Sequence, residues 1–114
     1  MNDCLFCKII ERKLPSKIVF EDDKLVAFED VNPQAPVHIL LVPRRHIESV
    51  NGVEETDREL MGHLFWISRK LAQERGVAAS GYRLVVNSGA SAGQSVFHIH
   101  VHLVGGRAFG WPPG

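Results

Sequence analysis

From Phe97 to Leu103 the chain reads Phe-His-Ile-His-Val-His-Leu, alternating apolar and imidazole side chains without a fault. Successive side chains on a strand point to opposite faces, so the pattern predicts a strand over Val96 to Val104. His98, His100 and His102 then share one face, while Phe97, Ile99, Val101 and Leu103 pack on the other. A row of surface histidines is the plain alternative, and three in register beside a glycine-rich loop weigh against it. Same-face neighbours stand ~7 Å apart and the outer pair ~13 Å. One metal ion with ligands at ~2.1 Å therefore reaches an adjacent pair and never all three. Phosphoryl or nucleotidyl transfer suits such a row, because a neutral imidazole attacks phosphorus while its neighbours hold the nonbridging oxygens. The segment Asn87 to Ser95, rich in small polar residues, feeds into this strand and offers backbone N–H groups to an anion.

The flanking chain supplies the elements that such a strand needs. Leu5, Phe6, Ile9 and Ile10 form an apolar stripe of helical period over Cys4 to Arg12, ended by Pro15. Ile18-Val19-Phe20 and Leu25 to Phe28 flank an acidic turn and predict an antiparallel hairpin. Val37 to Val42 is nearly continuous in apolar character up to Pro43, as befits a central strand covered on both faces. Thr56 to Glu59 has the form of a capping box, and Leu60, Leu64, Ile67 and Leu71 recur at helical spacing until Gly76. Tyr82 to Asn87 reads as a fourth strand. The result is an α+β fold, a five-stranded, mostly antiparallel sheet with a short N-terminal helix and one long helix, in a single domain over residues 1–114. Met61, Phe65 and Trp66 lie on the other side of the long helix, more apolar surface than one small sheet covers, which predicts a homodimer.

Thirteen basic residues balance thirteen acidic ones, so the overall field draws the chain to neither nucleic acid nor an anionic membrane. No apolar run approaches the ~20 residues of a membrane span, and the start lacks a basic segment followed by an apolar one. A cytoplasmic location is expected. Cys4 and Cys7 stand at i and i+3 of the first helix, which is ligand spacing. A redox pair would want a preceding strand, which is absent, and two thiols packed as small hydrophobes are the remaining alternative.

His98 to Val104, preceded by Gly93-Gln94-Ser95-Val96-Phe97, resembles the signature of the histidine-triad superfamily of nucleotide hydrolases and transferases. Phe28 to His38 is similar to the nucleoside-binding segment of its histidine-triad nucleotide-binding (Hint) branch, and Gly105-Gly106-Arg107 through Trp111-Pro112-Pro113-Gly114 to that branch's C-terminus. The resemblance implies a homodimer whose two sheets join, and hydrolysis of purine nucleoside phosphoramidates to an amine and the nucleoside monophosphate. By the same resemblance His100 is the nucleophile, His102 and His38 are the phosphate-side histidines, and Ser95 helps the amine leave. The backbone carbonyl of His98 orients the nucleophilic ring. Asp30 holds the ribose, Asn87 reaches the phosphate region, and Phe28, Val31, Gly93 and Gln94 complete the nucleotide site. Glu29 stands where eukaryotic relatives often carry a histidine, which leaves the base preference open.

Several bacterial members of the superfamily carry a similar cysteine pair that binds structural zinc together with two histidines, and those positions match His46 and His98. Such a closed set leaves no position for a catalytic water, so the zinc would hold the N-terminal helix to the sheet, with no cofactor in the reaction itself. On residues alone, Asp30 reads equally as a turn cap and His38 as a strand-end histidine bonded to backbone. His63 is expected to be structural, and Arg44-Arg45-His46 a solvated corner. A dinucleoside polyphosphate hydrolase and a nucleotide-binding adaptor remain the alternative functions.

Overall fold

The computed structural model describes residues 3–114. In chain order they form α1 (Leu5–Ile10), β1 (Ile18–Glu21), β2 (Leu25–Glu29), β3 (Val37–Pro43), α2 (Arg58–Glu74), β4 (Tyr82–Val85) and β5 (Val101–Gly105), with three short 3-10 turns. Among the described residues the strands make one five-stranded sheet, ordered β1-β2-β3-β5-β4. Each neighbouring pair is antiparallel.

Alternation along the strands sorts the core into two layers. Leu25, Ala27, Ile39, Leu41, Val101 and Leu103 face α2, where Leu64, Ile67 and Leu71 meet them at helical spacing. Val26, Phe28, Leu40 and Val42 face the opposite way, onto Phe6 and Ile9 of α1. β3 is thus covered on both faces and buried from His38 to Pro43. Asp22 closes the β1–β2 turn by accepting from the backbone N–H of Lys24 and Leu25 at 2.8 and 2.9 Å. His63 of α2 lies 2.6 Å from the same carboxylate, so it ties helix to hairpin and is structural.

Three boundaries differ from the sequence expectation. The capping box lies two residues early: Glu54 and Asp57 exchange the reciprocal bonds, and a 3-10 turn over Glu55–Asp57 leads into α2. Both tetrapeptides have the required spacing, but the Asp57 carboxylate is drawn inward, where it is buried and paired with Arg45. β4 ends at Val85, short of Asn87. β5 starts at Val101, opposite Leu41, although β3 runs on to Pro43 against β2: residues 96–98 form a bend before it, and the Ile99 N–H donates to the Ile47 carbonyl in place of a ladder bond to β3.

Gly106 shows how tightly the exit of β5 packs. Its φ is +91° and an added Cβ would lie 2.9 Å from Pro36 Cβ, so any other residue meets both strain and a clash. Arg107 then donates from Nε to the Gln34 carbonyl at 2.9 Å. The loop between β2 and β3 is held on the sheet by these contacts.

Candidate active site and metal centre

On the α1 side of the sheet lies a cavity of about 360 Å³, within the roughly 300–1,000 Å³ of small-molecule sites. Its polar wall is Ser16, Glu29, Asp30, Ser95, His100 and His102; its apolar wall includes Phe6, Ile9, Phe28, Leu40 and Val96. Val31 stands at the rim, almost fully exposed. His102 faces it because it sits opposite Leu40 in the β3–β5 register, on the face away from α2.

The hydrogen bonds assign a proton to each ring. His100 directs Nδ1 to the carbonyl of His98 at 2.7 Å. Only an N–H can donate to a carbonyl, so His100 Nε2 keeps a lone pair. His38 Nδ1 accepts from the backbone N–H of Gln34 at 3.0 Å, which puts the His38 proton on Nε2. That atom lies 2.9 Å from His102 Nδ1 and 3.4 Å from an Asp30 carboxylate oxygen. His102 accepts there and presents its own N–H from Nε2. A fixed lone pair on His100 thus stands beside a fixed donor on His102, with ring centroids 4.9 Å apart.

Burial holds these rings neutral. It pushes His102 down to about 4, aided by the neighbouring His100 and His38 and opposed by Asp30. Burial likewise lowers His38 and His100. Between pH 6.5 and 4 the unfolded chain therefore binds protons that folded His102 refuses, and stability falls as pH falls through this window. Denaturant titrations from pH 7.5 to 4 should show a shallower acid loss for His102→Gln than for wild type; equal slopes would contradict the neutral assignment.

Asp30, His38 and His102 also converge closely enough to suggest a metal site. The His38 proton argues against it: with Nδ1 accepting from Gln34, Nε2 has no lone pair to give. Asp30 also caps its own turn, Oδ1 accepting from Asn32 N–H at 2.9 Å, so its turn-capping reading holds alongside its place on the cavity wall.

The second cluster fits a metal ion. Cys4 Sγ, Cys7 Sγ, His46 Nδ1 and His98 Nδ1 lie within 4.8 Å of one another. His98 Nδ1 stands 3.4 and 3.5 Å from the two sulfurs and 3.1 Å from His46 Nδ1, and Cys7 Sγ is 3.3 Å from His46 Nδ1. Ligands at ~2.1–2.3 Å around a tetrahedral ion would be separated by about 3.4–3.8 Å, close to these values. His98 is fully buried and points Nε2 at the Pro43 carbonyl at 2.7 Å. That bond fixes the proton on Nε2 and leaves Nδ1 free to ligate. The 44–46 corner is pinned, not merely solvated: Arg44 pairs with Glu21, and Arg45 with Asp57 and Glu54.

The three histidines thus divide their labour in a way the strand pattern did not show. His100 and His102 border the cavity, whereas the His98 ring belongs to the metal cluster. Phe97, expected on the inner face, is 47% exposed, because the bend before β5 turns it outward. Asn87, Gly93 and Gln94 do not line the cavity. Gln94 is buried as the brace of its loop, accepting from Gly89 N–H and donating to the carbonyls of Glu48 and Val96. His38 does not line the cavity and reaches it through His102 and Asp30. Glu29 pairs with Lys17 and Arg75. The apolar wall from α1, with Leu5, Phe6 and Ile9, escaped the site prediction, since apolar residues carry no chemical signature.

The sequence matches the HIT domain over residues 11–109. The chain belongs to the HIT family. An uncharacterised HIT-like protein of Synechocystis is 48% identical over 113 residues, covering 99% of this HIT protein and 98% of the relative. A 14 kDa zinc-binding protein of Zea mays is 46% identical over 112 residues, covering 96% and 87%. Among solved structures, a HIT family hydrolase from Legionella pneumophila superposes with a TM-score of 0.96 at 48% identity, covering 98% of this chain and all of the other. A histidine triad nucleotide-binding protein from Candida albicans gives 0.82 at 28% identity, covering 98% and 85%. The fold of this HIT protein is therefore that of HIT family hydrolases, and no helix among its described residues is long and apolar enough to cross a membrane.

Proposed function

We propose that this protein is a Hint-type hydrolase of purine nucleoside 5′-phosphoramidates, acting over residues 1–114 as one domain in the cytoplasm. The observation that carries the reading is the His100 tautomer: Nδ1 is committed to the His98 carbonyl, so the lone pair faces the cavity. Asp30 at the cavity wall suits a ribose, and Phe28 with the α1 residues suits a base. His100 Nε2 attacks phosphorus, a P–N bond to imidazole forms, and the substrate P–N bond breaks. The amine leaves with a proton passed by Ser95. The positive charge left on the ring is stabilised by the Nδ1–H bond to the His98 carbonyl, and the His102 N–H bonds a nonbridging oxygen as its charge grows. Water then attacks phosphorus, the P–N bond to His100 breaks with its electron pair returning to Nε2, and the proton lost by the water restores the Ser95 hydroxyl, giving the monophosphate and the free ring. His38 holds the His102 donor in place. Asn87, Gly93 and Gln94 are assigned to the loop that carries Ser95 to the phosphate.

Turnover of adenosine 5′-phosphoramidate and its guanosine counterpart, beside diadenosine tetraphosphate and a binding titration of adenosine monophosphate, tests the reading. Faster release of amine than of mononucleotide from the dinucleotide supports it. Preference for the dinucleotide, or binding without turnover, would replace it with the polyphosphate hydrolase or the adaptor.

The four-atom cluster is assigned to zinc, which when bound supplies a structural cross-link between α1, the loop after β3 and the approach to β5. A closed set of two cysteines and two histidines has no position for substrate.

A homodimer completes the reading. Phe65 and Trp66 on the outer face of α2 are 51% and 60% exposed, and β4 is an edge strand whose outer side is open to a second sheet. Sedimentation at micromolar concentration should give about twice 12.7 kDa; a clean monomer would contradict it.

A further inference from the structure

We propose that Phe6 couples the Cys4, Cys7, His46 and His98 cluster to the nucleotide cavity, so that a bound divalent ion and a bound nucleoside monophosphate tighten one another. The inference rests on the nucleotide-binding reading above. α1 has six residues, far below the ~12–15 at which an isolated helix is even marginal, so its position depends on what it touches. Beyond the sheet residues Val26, Phe28, Leu40 and Val42 on which it rests, it touches two things. Its start carries Cys4 and Cys7, whose sulfurs meet His98 and His46. Between the cysteines, Leu5 and Phe6, with Ile9 one turn on, form a wall of the cavity.

Phe6 is the contact through which the two meet. It is 4% exposed and stands edge-on to His100, with centroids 4.9 Å apart and planes at 88°. The same ring meets Phe28 at 5.5 Å and His98 at 6.2 Å. His98 closes the circuit, since its ring is in the cluster and its carbonyl holds His100. An ion on the cluster and a nucleoside against Phe6 therefore favour the same docked position of α1. Ligands that favour one state raise each other's affinity by the same factor.

The zinc-loaded protein is challenged with a chromogenic chelator, with and without saturating adenosine monophosphate. The monophosphate is also titrated calorimetrically into loaded and metal-stripped protein. Both routes should give one factor, about fivefold or more, within the usual range of site coupling. Since the stripped chain can lose its fold and mimic coupling through global stability, Phe6→Leu supplies the control. It keeps the cysteines and an apolar side chain at the position while removing the ring, should still bind one zinc per chain, and should bring the factor close to one. A wild-type factor of one with normal monophosphate binding overturns the coupling and leaves the nucleotide reading standing. An undiminished factor in Phe6→Leu overturns the role of Phe6. Failure of the loaded wild type to bind monophosphate overturns the nucleotide reading and the coupling with it.

Discussion

Replacing His100 with asparagine should lower kcat on a nucleoside phosphoramidate by about four powers of ten or more while leaving the Kd for the monophosphate within a few-fold of wild type. The size follows from the loss of the covalent route itself, since removing a nucleophile leaves only what binding and transition-state hydrogen bonds supply. The retained affinity follows from where the other contacts come from. Asp30, His102, Phe28 and the α1 wall line the cavity independently of the His100 ring. Asparagine keeps a donor for the His98 carbonyl, so the bend before β5 is not disturbed. Ser95→Ala should lose far less, and chiefly on substrates whose amine leaves poorly, because the hydroxyl assists one proton transfer worth typically 10²–10⁴-fold at most. Equal losses for the two variants would mean that His100 is not the nucleophile.

Removal of the metal should have the largest effect on stability. A site that binds only the folded chain stabilises it by about 4 kcal/mol when free ion is a thousandfold above its Kd. For a chain of 114 residues that is a Tm difference of about 15 °C. Protein prepared without chelator should contain about one zinc per chain. The double substitution Cys4→Ala plus Cys7→Ala should carry none and should melt at the temperature of chelator-treated wild type. Metal that persists in the double variant would reject this ligand set, and an unchanged Tm on chelation would reject a structural role. The prediction does not depend on catalysis, so it stands or falls on metal content and melting temperature.

Most of the fold follows from periodicity in the chain. The alternation at Val101 and Leu103 against α2, the continuous apolar run of β3 and the spacing of Leu64, Ile67 and Leu71 each recur as buried contacts. What the pattern could not show is where pairing stops. His98 keeps the alternation but lies in the bend, where its ring donates to the Pro43 carbonyl and the next N–H, of Ile99, donates to the Ile47 carbonyl. A pattern of faces says nothing about which hydrogen-bond partners the backbone finds. The alternation alone makes His98, His100 and His102 equivalent; the resemblance sets His98 apart as a ligand, and its bond to the Pro43 carbonyl and its closeness to the two sulfurs agree with that. His100 and His102 on the cavity wall were legible from the alternating imidazoles, and Asp30 and Ser95 only through the family resemblance, since a lone carboxylate reads equally as a turn cap and a lone hydroxyl as part of a loop. Phe6 and Ile9 were not, since an apolar residue on a helix face reads as core whether it covers a sheet or a ligand. Gln94 was placed at the nucleotide by the motif around it, while its side chain braces the loop.

The covalent intermediate tests the central claim most directly. Wild-type protein mixed with adenosine 5′-phosphoramidate, quenched within the first turnovers and digested, should yield a peptide spanning His98 to His102 heavier by one adenylyl group. Fragmentation should place that group on His100, the ring whose Nδ1 is committed to the His98 carbonyl and whose Nε2 is free. An adduct on His98 or His102, or steady turnover with no adduct under conditions that accumulate it, would contradict the account.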